Sequence, residues 1–538
     1  MIDKLRAHWI GISVLLGVVL LSTNLNPFDG RTFSGHDETQ AARVIEFSHN
    51  LAEGQFPPRI APHMSFELGY PLFNYYAPTA YWITSTIYLL GFNVAQALEI
   101  SYFLALVVGL IGFYFFVRTY FSNYAATTAA LLYISSPFVA LDIFVRSNLG
   151  EIWFYALFPW ALALLQRLTR KRFFVTIVII AALFTSHNIF SLLSIPILMI
   201  FSWMHKSKMQ FVAVLLSIVL ASYFLMPAVG ELEGVQASTI ATITQYQVHF
   251  LCPLQLWYSS WGYGGSIEGC VDGMSFMLGK VHIITGIAGV GFLILNTLKK
   301  KSLKSAPILF TVLTLLLGSL FMTFSVSSFL WKLFEPILSI FQFPWRLLLF
   351  VIFGLSFFGG YAINSVPKKF SLLVTIVVIA TVLFLSPKFF KGQNISEQVF
   401  LSTYASNEYI RNTAAFRVAE YLPRTVNYES WRQLERESIK PQIQAIGFSD
   451  FKIETAETTV LPIHYAPYWK ITIDGEEYVP TSLDNLGRPR IKVEDIPVSI
   501  SVTYAQTPLQ QLANIISLVT GILVLIYSQP HKWQIKKT

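Results

Sequence analysis

The chain has 538 residues, of which 54% are hydrophobic, 15% aromatic and only 13% charged. A soluble domain carries roughly 25% charged residues, so this composition excludes one and puts most of the chain in a bilayer. The net charge of +8 is no nucleic-acid signature, because residues 388–505 are slightly acidic and the excess Lys and Arg lies in the apolar part, where it anchors cytoplasmic loops.

The first apolar run, 8–23, follows MIDKLRAHW and has no A-x-A cleavage site, so it reads as a retained span rather than a signal peptide. Directly after it comes GHDETQAARVIEFSHNLAEGQFPPRIAPHMSFELGYPLFNYYAP, from Gly35 to Pro78. Loops of this length with carboxylates and aromatics beside a membrane usually carry function. Further apolar runs near the ~20 residues a crossing requires lie at 76–92, 97–117, 123–140, 149–166, 173–187, 189–204, 210–227, 280–297, 305–324, 346–365, 369–386 and 509–527.

Charge sets their phase. If every run crosses and the N-terminus is inside, the later basic clusters fall outside. If one run between 76 and 140 crosses only partly, all clusters fall inside: Lys4/Arg6, Arg167/Arg170/Lys171/Arg172, Lys206/Lys208, Lys299/Lys300/Lys301/Lys304, Lys368/Lys369 and Lys536/Lys537. The partial crosser is assigned to 70–92, whose start is rich in Tyr and Pro. Loops 24–75, 141–149, 228–279 and 325–345 then share the outer face with segment 387–508. That segment has polar helical stretches followed by KITID, RIKVE and VSISVTY, whose period of two predicts strands of a small α+β or β-sandwich domain before the last helix. Cys252 and Cys270 share one outer loop, either as a disulfide or as a free pair.

Several polar groups sit at the predicted outer boundary. Asp37 can act as a general base or help hold a divalent metal, and Glu38 can share either role. Equally, Asp37 can cap the helix that ETQAARVIEF begins. In LDIFVRSNLGEIWF, Arg146 suits a phosphate, with Asp142 and Glu151 beside it, or the charges simply flank a helix start. His187 in TSHNIF lines a cavity or is a satisfied structural histidine. Arg346 in FQFPWRLL is a second phosphate clamp or a belt anchor, and Arg59 a further cation or a solvated one. No GxxxxGK[ST], GxSxG, HExxH or CxxC is present, so nucleotide hydrolysis, serine hydrolase and zincin chemistry are unsupported. The absence of DxD weakens metal dependence without excluding it.

The stretch from GHDETQAARV to NYYAP, followed in order by VRSNLGEIWFYALFPW, TSHN, FQFPWR, AEYLP and LPIHYAPYWKITIDG…LGRP, resembles a bacterial membrane-protein family labelled 6-pyruvoyl-tetrahydropterin synthase-related. The architecture resembles the GT-C glycosyltransferase superfamily rather than pterin synthases, which are small soluble zinc enzymes. That resemblance implies a polytopic enzyme of the bacterial cytoplasmic membrane, active on the extracytoplasmic face and taking a sugar from a polyprenyl-phosphate carrier to a glycan, lipid or protein acceptor. It puts Asp37 at the catalytic acidic position, Glu38 beside it, Arg146 and Glu151 in the second polar loop and Arg346 at FPWR. A transporter or flippase of lipid-linked glycans, or a non-enzymatic envelope assembly protein, is the alternative. Tyr465, Tyr468 and Trp469 either touch a glycan or form the core of the small domain.

Overall fold

The computed structural model describes residues 24–237, 245–299, 306–436, 450–453, 458–492 and 498–529, together with Leu15 and 17–19. Most of the first span, Lys300, Lys301, Lys304 and both terminal basic pairs lie outside the described residues.

The fold is a polytopic helical bundle with a small sheet region before its last helix. Among the described residues six helices are long and apolar enough to cross a membrane: Val94–Arg118, Leu149–Gln166, Lys280–Leu298, Pro344–Ser365, Lys368–Phe389 and Pro508–Ser528. Two bent pairs raise this to eight, and Asn188–Met204 and Ala306–Met322 are shorter apolar helices. Burial sorts them: Pro344–Ser365 is 94% buried and Lys368–Phe389 only 17%. The former is the spine of the bundle, and the latter turns Leu373, Val377 and Phe384 outward as a lipid face does.

Thr79–Leu89 has 11 residues, about 16 Å of helix against a hydrocarbon core of about 30 Å. Its start bonds to Thr185 (Thr79 N to Thr185 O, 2.9 Å), and Asn93, just beyond its end, donates to Glu397 at 2.8 Å. Both ends therefore stay at one end of the bundle. At the other end, Arg167 reaches Thr119, Arg170 reaches the Tyr527 carbonyl, and Ser122 bonds to Asn364. The basic residues described there stand one helix length from Asp37.

Proline and polar caps make the breaks that build the first end. Ser136 caps Pro137–Phe144, which bends 41° from Asn123–Ser135 because Pro137 cannot continue the ladder. Asn93 closes a capping box with Gln96, and Thr507 another with Gln510.

The sheet region is antiparallel, with Asp450–Ile453, Val498–Tyr504, Trp469–Ile473 and Glu476–Tyr478 in that order, and a separate pair Thr458–Val460 with Arg490–Lys492. Tyr468 and Trp469 are buried in its core with Ile60 of the first loop, so the core reading of these aromatics applies. Arg31–Ser34 pairs with Gln393–Ser396, and Trp469 packs on Gly69, where an added Cβ would lie 2.8 Å from the indole. The late segment is thus docked on the first loop.

Cys252 and Cys270 are joined as a disulfide across 18 residues. Closing a loop of this order restricts the unfolded chain by about 3 kcal/mol. Replacing both cysteines with serine is expected to lower the thermal midpoint correspondingly in purified protein, and an unchanged midpoint would show the bridge to be dispensable.

Candidate functional site

Three helices begin at the same place. Leu149–Gln166 is capped by Asn148, whose Oδ1 accepts from Glu151 N at 3.1 Å. Asn188–Met204 is capped by His187, whose Nδ1 accepts from the amides of Ile189 and Phe190. The third opens at Pro344 through a tight turn carrying Trp345 and Arg346. Helix N-termini carry partial positive charge, and two guanidiniums join them.

Glu151 is the anion at their meeting point. Arg146 donates to both its oxygens, with Nη2 to Oε1 at 2.7 Å, and Asn148 Nδ2 donates to Oε1 at 3.0 Å. Arg346 Nε lies 3.1 Å and His187 Nε2 3.6 Å from Oε1. Arg146 also binds Asp142 and lies over the Trp345 ring at 4.6 Å. Two carboxyl groups, Asp142 and Glu151, thus face two guanidiniums, a pairing that lets such groups be buried together. Burial depresses the His187 pKa to about 3 against the pull of Glu151; the ring is neutral, as its role as acceptor for the backbone amides requires. Arg346 gives Nη1 to Phe341 O and Gln342 Oε1, while its Nη2 has no hydrogen-bond partner among the described residues.

Asp37 stands beside this network because the two loops are stitched by their backbones. His36 N donates to Val145 O at 2.8 Å and Asp37 N to Arg146 O at 3.0 Å. Gly35 makes the approach possible: a Cβ there would lie 2.0 Å from Ser147 Oγ. Gly35→Ala is expected to destabilise by about 1–3 kcal/mol through overpacking. Adding Ser147→Gly should recover most of that in thermal unfolding, since it removes the clashing atom and suits the positive φ of 53° at Ser147.

The helix after Asp37 starts at Gln40 with Thr39 as its N-cap and no side-chain cap, so Asp37 is not a cap. Its Oδ2 accepts from Gln40 Nε2 (2.6 Å) and Arg43 Nη1 (3.0 Å), and its Oδ1 accepts from Thr39 Oγ1 (2.9 Å). Each carboxylate oxygen has two lone pairs, so Oδ1 keeps one free. Arg43 also donates to Tyr76 Oη at 2.8 Å and contacts Tyr81 Oη. Burial works against the Arg43 charge, but Asp37 and the two tyrosines outweigh it and hold the pKa above the usual arginine value. Tyr76, pushed up to about 12 mainly by burial, remains a neutral phenol within electrostatic reach of Arg346.

The structure thus brings Asp37, Asp142, Arg146, Glu151, His187 and Arg346 to one end of the bundle. Glu38 points away from the ion network and pairs with Arg417 at 2.8 Å. Arg59 is neither a solvated cation nor part of the cluster. It is buried and donates to Tyr223 O (2.6 Å) and Asn514 Oδ1 (3.1 Å), and it shares no hydrogen bond or ion pair with Asp37, Arg146 or Arg346 among the described residues. It ties the first loop to the last helix, and burial lowers its pKa. Arg43 and Tyr76 were not singled out from sequence; the available signal was an arginine inside the apolar pattern AARVIEF. Among the described residues no group of three or more His, Cys, Asp or Glu is arranged to hold a metal.

No family model matches the chain, and no curated protein matches it. Among solved structures it is similar to the arabinofuranosyltransferase AftD from Mycobacteria, at 13% identity and a TM-score of 0.46 over 71% of this chain and 27% of that one. It is also similar to the oligosaccharyltransferase AglB from Archaeoglobus fulgidus, in complex with an inhibitory peptide and a dolichol-phosphate, at 13% identity, TM-score 0.45, over 74% of this chain and 57% of that one. A third is ArnT from Cupriavidus metallidurans bound to undecaprenyl phosphate, at 15% identity, TM-score 0.38, over 80% and 73%. The chain spans about a quarter of the length of AftD and little more than half that of AglB.

Proposed function

We propose that the protein is a membrane glycosyltransferase that moves a sugar from a polyprenyl-phosphate carrier to an acceptor hydroxyl on the extracytoplasmic face of a bacterial cytoplasmic membrane. The observation that carries this reading is the convergence of three helix N-termini and two arginines beside the Asp37 carboxyl group, whose Oδ1 keeps a free lone pair. Helix N-termini and guanidiniums are matched to phosphate oxygens. Arg346 Nη2 has the open donor for them, and Glu151 holds both arginines in place until the phosphate arrives.

In the reaction, the acceptor oxygen bonds to C1 of the sugar as the C1–O bond to phosphate breaks. Asp37 Oδ1 takes the hydroxyl proton, and the electron pair leaves on the polyprenyl phosphate, where Arg346 and Arg146 stabilise it. Attack opposite the leaving group inverts C1. Glu38 lines the approach and Arg417 holds it there.

Surface glycans of a deletion strain, compared with wild type by mass spectrometry, test the reading. A missing sugar restored by the wild-type gene supports transfer. An unchanged profile would instead favour an assembly role, and accumulation of intact lipid-linked sugar on the cytoplasmic side would favour a flippase.

A further inference from the structure

Two loops at the site's end of the bundle turn apolar faces outward, where a loop in water would be polar. In residues 325–340, Phe329, Leu333 and Ile337 are 61%, 68% and 64% exposed, and Val326, Phe334 and Ile340 are exposed beside them. Lys332 and Glu335 are the only charges in that stretch. In residues 253–258, Leu254, Trp257 and Tyr258 are exposed.

Both pieces grow from one root at the ends of apolar helices. Leu251 N donates to Thr323 O at 2.9 Å, just past Ala306–Met322. Trp331 is fully buried there, stacked on Tyr246 at 5.1 Å, and its Nε1 donates to Met322 O at 3.1 Å. Lys280, the first residue of Lys280–Leu298, holds its Nζ over the Trp257 ring at 5.5 Å. Ser136 places that helix start by donating to Leu278 O at 2.8 Å.

Continuity decides what covers these faces. Phe329 packs on Phe321 with ring centres 6.5 Å apart, and Phe321 and Leu317 are exposed on Ala306–Met322. That helix has 17 residues, about 26 Å of length against a hydrocarbon core of about 30 Å. Its surface meets acyl chains, so a face that continues it without a polar break meets the same leaflet. Trp and Tyr favour the boundary between acyl chains and headgroups. Exposed apolar patches of this kind mark contact with a membrane or a partner.

The same root carries the arginine on the phosphate side of the site. Trp331 meets Phe341 edge-on at 6.3 Å, and Phe341 O accepts from Arg346 Nη1 at 3.0 Å. His249 packs on Phe343 at 4.7 Å, and Arg346 lies over the Phe343 ring at 5.0 Å.

We infer that residues 325–340 and 253–258 form a platform seated in the leaflet at the site's end, at the boundary of acyl chains and headgroups. The platform holds the Arg346 turn at the depth of the lipid phosphates. This lipid contact does not rest on the transferase reading; only the identity of the phosphate that Arg346 receives does.

The test uses the full chain in lipid nanodiscs. Both native cysteines are bridged, so Phe329→Cys, Ile337→Cys and Tyr258→Cys each take a single bimane label. Val479→Cys, at an exposed position in the sheet region, is the control in water. Lipids brominated near the top of the acyl chain should quench the three platform labels about twofold or more and leave the control unchanged. Aqueous iodide should do the reverse. A label at Gln342→Cys reads the depth of the Arg346 turn, with Ser339→Cys serving if that variant does not fold. It should be quenched more by a nitroxide on the lipid headgroup than by the acyl bromines.

Platform labels quenched by iodide as strongly as the control, and not by brominated lipid, overturn the inference. So does contact between labels of two copies in place of lipid quenching, which would make the face a protein interface. A turn label quenched by neither lipid probe overturns the depth of Arg346. Normal sugar transfer with platform labels that lipid does not quench sinks this inference alone. Lipid quenching in a wild-type background that transfers no sugar sinks the transferase reading alone.

Discussion

Asp37→Asn is expected to reduce sugar transfer by about 10²–10⁴-fold, the usual contribution of a positioned general base. Asparagine keeps the size of the side chain but cannot take the acceptor proton. The substitution also removes the counterion of Arg43, which is 3% exposed at its side chain, so part of any loss can come from destabilisation. Two companions separate the effects. Asp37→Asn with Arg43→Gln removes both charges and should recover thermal stability while transfer stays lost. Asp37→Glu keeps the charge but displaces the oxygens, and should fold while transferring poorly. Transfer at the wild-type rate in Asp37→Asn would end the assignment of Asp37 as base.

The second large effect is structural. Glu151→Ala is expected to destabilise the protein by about 3–5 kcal/mol, because breaking a buried ion pair leaves uncompensated charge behind. Arg146 would keep only Asp142, and Arg346 would keep no carboxylate among its hydrogen-bond and ion-pair partners. The arginine partners should show strong coupling in a double-mutant cycle: Glu151→Gln with Arg346→Met should be more stable than the sum of the single variants predicts. Thermal unfolding in nanodiscs reads all four corners. A loss below about 1 kcal/mol, the size of an exposed pair, would mean that the cluster is wetter than its burial indicates.

Much of the site was legible because its residues sit at chain-local landmarks. Asn148 and Glu151 are three apart, as a cap and the first turn of a helix demand. Pro344 announces the start that presents Arg346. His187 precedes an apolar run as an N-cap does. What was not legible was partnership. Glu38 follows Asp37 directly, yet its carboxylate turns to Arg417, 379 residues further on, because the late segment docks across the first loop. Arg59 looked like a surface cation, but Tyr223 and Asn514 close over it from two other helices. Asn188 of TSHN bonds to the Tyr75 carbonyl, and Tyr421 of AEYLP stacks on the Tyr75 ring at 5.6 Å. His464 accepts from Ser65, whose hydroxyl in turn takes the Trp431 indole. Such contacts join motifs hundreds of residues apart.

The sequence by itself determined that the chain is a membrane protein, where its apolar runs lie, and that a β-rich segment precedes the last helix. Those follow from run length and periodicity of two, which act within about 20 residues of chain and need no partner. Tertiary structure alone decided that Arg43 and not a helix N-terminus holds Asp37, and that Glu151 gathers Arg146, Arg346 and His187. In a low-dielectric interior every buried charge must find its opposite. Which opposite it finds depends on which helix ends packing brings together, and local sequence does not encode that.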